Sequence, residues 1–470
     1  MRNREHVKKI SEGGFFYVSA LAGTGKTTLI YDVCSYLKNK KVLYLSFNEK
    51  IAKEASAKFP NNVDCKTIHS VAYKFFGYKY KNKLRTSIPY SYILEELPIK
   101  NRKDRFKIAS AIMEKINYFL YSEFLNIEDS FGINDSDSFK FYVKTIFEKM
   151  EDISHSFPIT HDFYLKLFQK SSMLTDYLSK YSWVMLDEAQ DSNSAIKSIV
   201  FNQGFLFNKN IVIVGDPNQY IYGFRGSINI FDSIDGNIFK KIELNKTYRF
   251  GREIARIANK ILLLNNSSQF ILPNESISSE INRVDKRKQY TIINRTNSAI
   301  IGNALALSEK GKKIYIKSSS SINFNILRDI FFLKIDKKKV MNPEIKKYRS
   351  YDDFFESSKI NEDKEALILC NLVNQYGEDL FDLIRKTNNC IVSEKEKSDV
   401  IICNVHSVKG MEFDQVVLGN DFYSPFDNSL KIKQSINKEE MNILYTAVTR
   451  ARLSINLNDV CEKIKDNIKR

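Results

Sequence analysis

No run of about 18 apolar residues occurs in this chain, and its polar start, Met1-Arg2-Asn3-Arg4-Glu5-His6, is followed by no signal-peptide core. The expectation is a soluble, unexported protein with no membrane partner. The six cysteines (Cys34, Cys65, Cys370, Cys390, Cys403, Cys461) contain no close pair, which argues against a zinc site or an iron–sulfur cluster. They read as reduced, mostly buried thiols of an intracellular protein, cytoplasmic if prokaryotic or viral and nuclear if eukaryotic. Internal repeats and low-complexity linkers are also missing. Acid is in deficit: 72 lysines and arginines stand against 56 acids, a net charge of +16. Such a surface attracts polyanions, nucleic acid first among them. At 470 residues and 43% hydrophobic content, the chain is too long for one core and long enough for about three or four packing units.

Two segments carry chemistry. In Ala22-Gly23-Thr24-Gly25-Lys26-Thr27-Thr28, the glycines allow a tight loop whose N–H groups point at phosphate oxygens, and the loop opens a helix whose N-terminus favours anions. Lys26 is expected to neutralise the β- and γ-phosphates and the Thr27 hydroxyl to ligate Mg²⁺. The apolar run 15–21 before the loop reads as a buried strand, and 29–37 has apolar residues at helical spacing. Ala20 stands where this pattern usually begins with glycine. The second segment, Val184-Met185-Leu186-Asp187-Glu188-Ala189-Gln190-Asp191, delivers adjacent carboxylates from a strand end. Asp187 would hold Mg²⁺ through its water shell and Glu188 would orient or deprotonate the attacking water. Gln219, beyond the strand 211–214, is placed to sense the γ-phosphate or its water. Together these imply hydrolysis of a nucleoside triphosphate.

Strand-like runs at 42–47, 183–186, 211–214, 290–293, 400–403 and 415–418 alternate with helical or loop sequence, which argues for α/β architecture with parallel sheets. Motifs fall at both ends of the chain, so two P-loop-type lobes are expected to share the nucleotide at their cleft. Long amphipathic stretches at 106–120 and 139–150 mark a helical insertion. The expected division is 1–75 with 181–238 for the first lobe and 76–180 for the helical insertion. The second lobe takes 239–318 with 395–470, and 319–394, containing the basic run 334–347, is a smaller second insertion. The cluster Tyr73-Lys74-Phe75-Phe76-Gly77-Tyr78-Lys79-Tyr80-Lys81 suits a nucleic-acid groove or, equally, an exposed helix end.

Further motifs follow in order: Tyr44-Leu45-Ser46-Phe47-Asn48-Glu49-Lys50, Thr67-Ile68-His69-Ser70, Thr160-His161-Asp162-Phe163-Tyr164-Leu165-Lys166, Gly215-Asp216-Pro217-Asn218-Gln219-Tyr220-Ile221-Tyr222-Gly223-Phe224-Arg225-Gly226, Thr247-Tyr248-Arg249-Phe250, Val405-His406-Ser407-Val408-Lys409-Gly410-Met411-Glu412-Phe413, and Tyr445-Thr446-Ala447-Val448-Thr449-Arg450-Ala451-Arg452. Taken with the two segments above, they span almost the whole chain. The order resembles the UvrD/Rep-type helicases of superfamily 1, and among them the F-box DNA helicase branch, although no F-box-like segment precedes the motor in this sequence. The resemblance implies two RecA-like lobes, ATP and Mg²⁺ as cofactors, and Arg249 and Arg450 as arginines reaching the γ-phosphate when the lobes close. Surface ion pairs are the plainer alternative for both arginines. Glu412 matches the nucleotide-sugar contact, with a salt bridge as its alternative. Phe47, Tyr222 and Phe224 match stacking or base-pocket positions for single-stranded DNA, and Arg225, His69 and His406 strand-lining ones. His6 is the nearest candidate for the adenine-reading residue that the family provides as glutamine, and Asn404 stands where the family commonly has threonine. The segment between Phe250 and Val405 is short beside the longer relatives.

The implied function is an ATP-driven translocase or helicase on single-stranded DNA and tailed duplexes, with 3′→5′ polarity by resemblance, acting in repair, recombination control or phage defence. The alternative is a DNA-stimulated ATPase subunit that senses DNA for a partner nuclease or repair protein. The eighteen residues after Arg452 leave no room for a fused nuclease, so cleavage would come from elsewhere. A third reading, RNA helicase, is disfavoured because the motifs are those of the DNA branch.

Overall fold

The computed structural model describes residues 3–97, 105–206, 209–223, 229–318, 322–427 and 429–468, with backbone alone for 202–206. The chain divides into two compact units: Met1–Ala20 with Gly25–Leu244, and Leu21–Thr24 with Asn245–Arg470. Each is built on a six-stranded sheet whose neighbouring strands all run parallel.

In the first unit the strands are β1 (Phe15–Ala20), β2 (Val42–Leu45), β3 (Val63–Lys66), β4 (Trp183–Leu186), β5 (Asn210–Gly215) and β6 (Lys240–Leu244), in spatial order β3-β2-β4-β5-β1-β6. β2 and β4 are buried along their whole length, because a parallel sheet covered on both faces needs apolar side chains on both. Successive residues serve opposite faces. Val42, Tyr44 and Met185 join Leu29 and Val33 of the helix Lys26–Tyr36 in one core, while Leu43, Leu45, Val184 and Leu186 join Val71, Leu165 and Phe168 in the other. The helical insertion has a core of its own, with Ile112, Ile116 and Phe119 from the helix Arg105–Tyr121 and Val143, Ile146 and Met150 from the helix Asp137–Glu151.

The expected lobe boundary at 238 is corrected to Leu244. Lys240–Leu244 pairs in register with β1, Ala20 opposite Leu244. Only Ile242 and Leu244 of this edge strand are buried, so its sequence gives a weak apolar signal.

The second unit contains β7 (Glu280–Ile281), β8 (Tyr290–Asn294), β9 (Ile314–Lys317), β10 (Val400–Asn404), β11 (Phe413–Leu418) and β12 (Ala451–Asn456), in spatial order β7-β12-β11-β8-β10-β9. The stretch 319–394 is helical among its described residues and does not stand apart. Leu327, Phe354, Leu369 and Ile384 share one apolar cluster with Ile292, Ile300 and Val400 of the sheet layer. No helix among the described residues is long and apolar enough to cross a membrane.

Candidate functional site

β1 ends at Ala20 and the chain turns through the glycine loop into the helix Lys26–Tyr36. Gly23 and Gly25 have φ of 72° and 89°, left-handed values that glycine adopts without the Cβ penalty. A Cβ on Gly23 would lie 2.5 Å from the Thr247 hydroxyl. Gly25 is the N-cap and no side chain caps the helix, so the first-turn N–H groups are the kind of donors that hold an anion. Ala22 and Thr24 are buried, and Thr27 and Thr28 are exposed on the first turn. The front of the loop belongs to the second unit: Thr247 donates its hydroxyl to the Ala22 carbonyl at 2.9 Å, and the Tyr445 hydroxyl accepts from the Ala22 N–H at 3.1 Å.

Beyond β4, at the same end of the first sheet, Lys26 Nζ lies 3.4 Å from Glu188 Oε2. Glu188 has φ of 51°, a conformation that costs a non-glycine residue energy and is held by its surroundings. Asp187 is buried, accepting from the Tyr44 hydroxyl at 2.7 Å and from the Glu188 N–H at 2.9 Å. Burial first, then the Glu188 charge, pushes the Asp187 carboxyl up, against the pull of Lys26 and the Tyr44 hydroxyl. A divalent cation is the partner that would keep such a carboxylate ionised, and Asp187 with the hydroxyl of Thr27, which follows Lys26 on the first helical turn, is a donor chemistry that fits Mg²⁺. Among the described residues no group of three or more His, Cys, Asp and Glu is placed to hold a metal by itself.

A hydrogen-bond chain joins Glu188 to Gln219. Gln190, fully buried, donates to Glu188 Oε2 at 2.6 Å and accepts from the Asp216 N–H at 3.1 Å; Gln219 donates to Asp216 Oδ2 at 2.7 Å. Gly215 is required here, since its Cβ would fall 2.2 Å from Gln190 Oε1. Tyr44 and Gln190 were absent from the sequence-derived site. Gln190 was visible beside the carboxylates, whereas Tyr44 comes from another strand and reads as core.

In the second unit Arg249 donates to Glu412 at 2.9 Å and to the Thr449 carbonyl at 3.0 Å, and Arg452 lies 3.7 Å from Glu412. Arg249 and Glu412 are thus brought together, in the ion pair that was the plainer reading of each. Arg450 is buried, its guanidinium bonded to the carbonyls of Thr446 and Met411.

Of the strand-contact candidates, Phe47 and Tyr222 stack in the first unit with ring centroids 5.6 Å apart and planes 17° from parallel. Phe47 is 42% exposed and Tyr222 is buried. His69, on the helix Ile68–Phe75, meets Asp162 at 3.1 Å. His406 lies in the turn Val405–Val408 after β10, capped by Asn404, which accepts from the Ser407 N–H at 2.9 Å. Phe224 and Arg225 lie outside the described residues. His6 is part-exposed on the helix Arg4–Ser11, which packs against the helix Lys26–Tyr36.

Comparison with known proteins agrees with this geometry. Residues 3–225 match the AAA domain family and 344–458 the UvrD-like helicase C-terminal domain. F-box DNA helicase protein 1 of Schizosaccharomyces pombe is 29% identical over 97% of this chain and 57% of its own length, and F-box DNA helicase 1 of Gallus gallus 29% over 97% and 48%. The Gabija protein GajB of Bacillus cereus is 24% identical over 96% of this chain and 93% of its own. The chain therefore spans about half the length of the F-box helicase relatives it matches. Both matched domains fall in order on the two parallel α/β sheets, and with these relatives they support a UvrD/Rep-type superfamily 1 helicase near the F-box DNA helicase branch.

Proposed function

We propose that this protein is an ATP-dependent translocase that unwinds DNA from single-stranded tails. The observation that carries the reading is the constellation at the end of the first sheet, where Lys26, the buried Asp187 and Glu188 meet beside a positive-φ glycine loop. The backbone of residues 22–28 and Lys26 would bind the phosphates, while Thr27 and Asp187 would hold Mg²⁺. Bound ATP–Mg²⁺ supplies an electrophilic γ-phosphoryl group. Glu188 takes the proton of the attacking water, oriented by Gln190, and Gln219 reads the state of that site through Asp216. By the family resemblance, Arg249 and Arg450 would supply cations to the γ-phosphate and Glu412 a contact to the nucleotide sugar. Phe47 offers an exposed aromatic face to a base, with Tyr222 stacked against it, and His69 and His406 are proposed strand contacts. Polarity of 3′→5′ and a place in repair, recombination or phage defence belong to the same proposal.

A second reading, an ATPase subunit that senses DNA for a partner nuclease, is favoured by the near-full-length likeness to the Gabija protein GajB. The test is steady-state ATP hydrolysis without nucleic acid, and with single-stranded DNA, duplex DNA and RNA, alongside Lys26→Ala. Strong stimulation by single-stranded DNA, lost in Lys26→Ala, is expected. Unwinding of tailed duplexes separates the first reading from the second, and hydrolysis intact in Lys26→Ala would sink both.

A further inference from the structure

In the second sheet β8 and β11 are neighbours, but the chain leaves them in opposite directions: β8 leads towards β9 on one side and β11 towards β12 on the other. The connections that follow their paired carboxyl ends therefore run to opposite sides and leave a crevice, the place where parallel α/β sheets bind ligands. A cavity of about 640 Å³ lies there, within the usual size of a small-molecule site, lined by the ends of both strands and by the helices Asn297–Glu309 and Lys364–Tyr376.

We propose that this crevice binds a nucleobase. The lining has little side-chain bulk at Ala299 and Gly302 on the helix Asn297–Glu309, where Leu372 packs against Gly302, and Leu367 and Ile368 add apolar lining from the other helix. The polar groups are carboxamides with defined spare capacity. Asn303 donates one amide N–H to Asn294 at 2.8 Å and keeps its other N–H and its carbonyl acceptor. Asn420 spends its carbonyl on the Asp459 N–H at 3.3 Å and keeps its amide donors. Asn371 adds one of each. Mixed donors and acceptors are what the edge of a base presents. An anion is a poor fit at the floor, since Asp421 already occupies the helix end, accepting from the N–H groups of Arg295 and Thr296 at 2.9 and 2.7 Å and from the Thr296 hydroxyl at 2.8 Å. Gly419 keeps this floor closed, since a Cβ there would fall 2.5 Å from Asn294 Oδ1. The exposed Lys364 at the rim suits the phosphate that follows a base.

The inference rests on the strand-binding reading above, and its test keeps the two apart. Ala299→Leu adds bulk to the lining and Asn371→Ala removes one amide, with thermal unfolding as the check on folding. By fluorescence anisotropy both variants are expected to bind single-stranded DNA about tenfold more weakly than the parent, and to match the parent on an oligonucleotide made of abasic sites. Adenosine and thymidine are titrated in parallel by saturation-transfer NMR. A nucleoside signal lost in Ala299→Leu, with no strand binding by the parent, would keep the pocket, assign it a free nucleoside and reject the strand reading. Unchanged strand affinity in the folded variants together with no nucleoside signal would overturn the proposal; should Ala299→Leu not fold, Asn371→Ala decides alone.

Discussion

At the scale of single residues, Glu188 carries the sharpest expectation. Its backbone is left-handed and its carboxylate is held between Lys26 and Gln190. Glu188→Gln is expected to bind ATP normally while turnover falls by ~10²–10⁴, the loss of a general base; equilibrium nucleotide binding and single-turnover hydrolysis measure the two separately. Tyr44 makes a different prediction. Its hydroxyl fixes Asp187 at 2.7 Å, so Tyr44→Phe is expected to raise the Mg²⁺ concentration for half-maximal hydrolysis about tenfold, as losses behind a metal ligand do. An unchanged Mg²⁺ titration would remove Tyr44 from the site. The two residues also mark the limit of reading the chain unaided. Glu188 is legible because an apolar run ends abruptly in two carboxylates. The partner of Asp187 lies 143 positions away on β2, and only the β2–β4 pairing, Tyr44 opposite Met185, brings it there.

Among elements, the buried strands and long amphipathic helices were legible, and the short or edge strands were not. β3 and β6, the two edges of the first sheet, mix charges into four and five residues, too little for periodicity to speak. Helix ends are clearer in the structure, as where Thr67 and Ser70 form a capping box at the helix Ile68–Phe75. Lys166 supplies a cap of another kind. Fully buried, it donates to the carbonyls of Ser122 and Phe124 at 2.7 and 3.0 Å, just past the end of the helix Arg105–Tyr121, over the face of Phe119. Burial first, then the charge of Lys170, pushes its ammonium down to about 7 from an ordinary 10.5. Between those values the unfolded chain binds more protons than the folded one, so stability rises with pH across that window and is lowest below it. Lys166→Met leaves the two carbonyls unpaired, at a cost of about 1–3 kcal/mol near neutrality. Denaturant unfolding of parent and variant from pH 7 to 10 should show the parent gaining on the variant; parallel curves would mean that Lys166 stays charged throughout.

For the whole molecule, the net charge of +16 and the stacked pair of Phe47 and Tyr222 support the proposed single-strand binding. Phe47→Ala is expected to weaken single-strand affinity by about 1–3 kcal/mol, one base-stacking contact, with turnover recovered at saturating DNA; equal affinity would return Phe47 to a packing role. The family and the two-sheet plan were legible because the motifs sit at strand ends in a fixed order. The lobe boundary was not, because β6 returns beside β1 after more than 200 residues and pairs there through a weakly apolar sequence. One helix also defies division by sequence position. His161–Lys170 gives Phe163 to the core of the helical insertion, and Leu165 and Phe168 to the core beneath the sheet. A chimera that exchanges the insertion for that of a relative must therefore keep this helix with the recipient and repack one side of it, since a graft with its seam before residue 161 and another after 170 would unseat two cores at once.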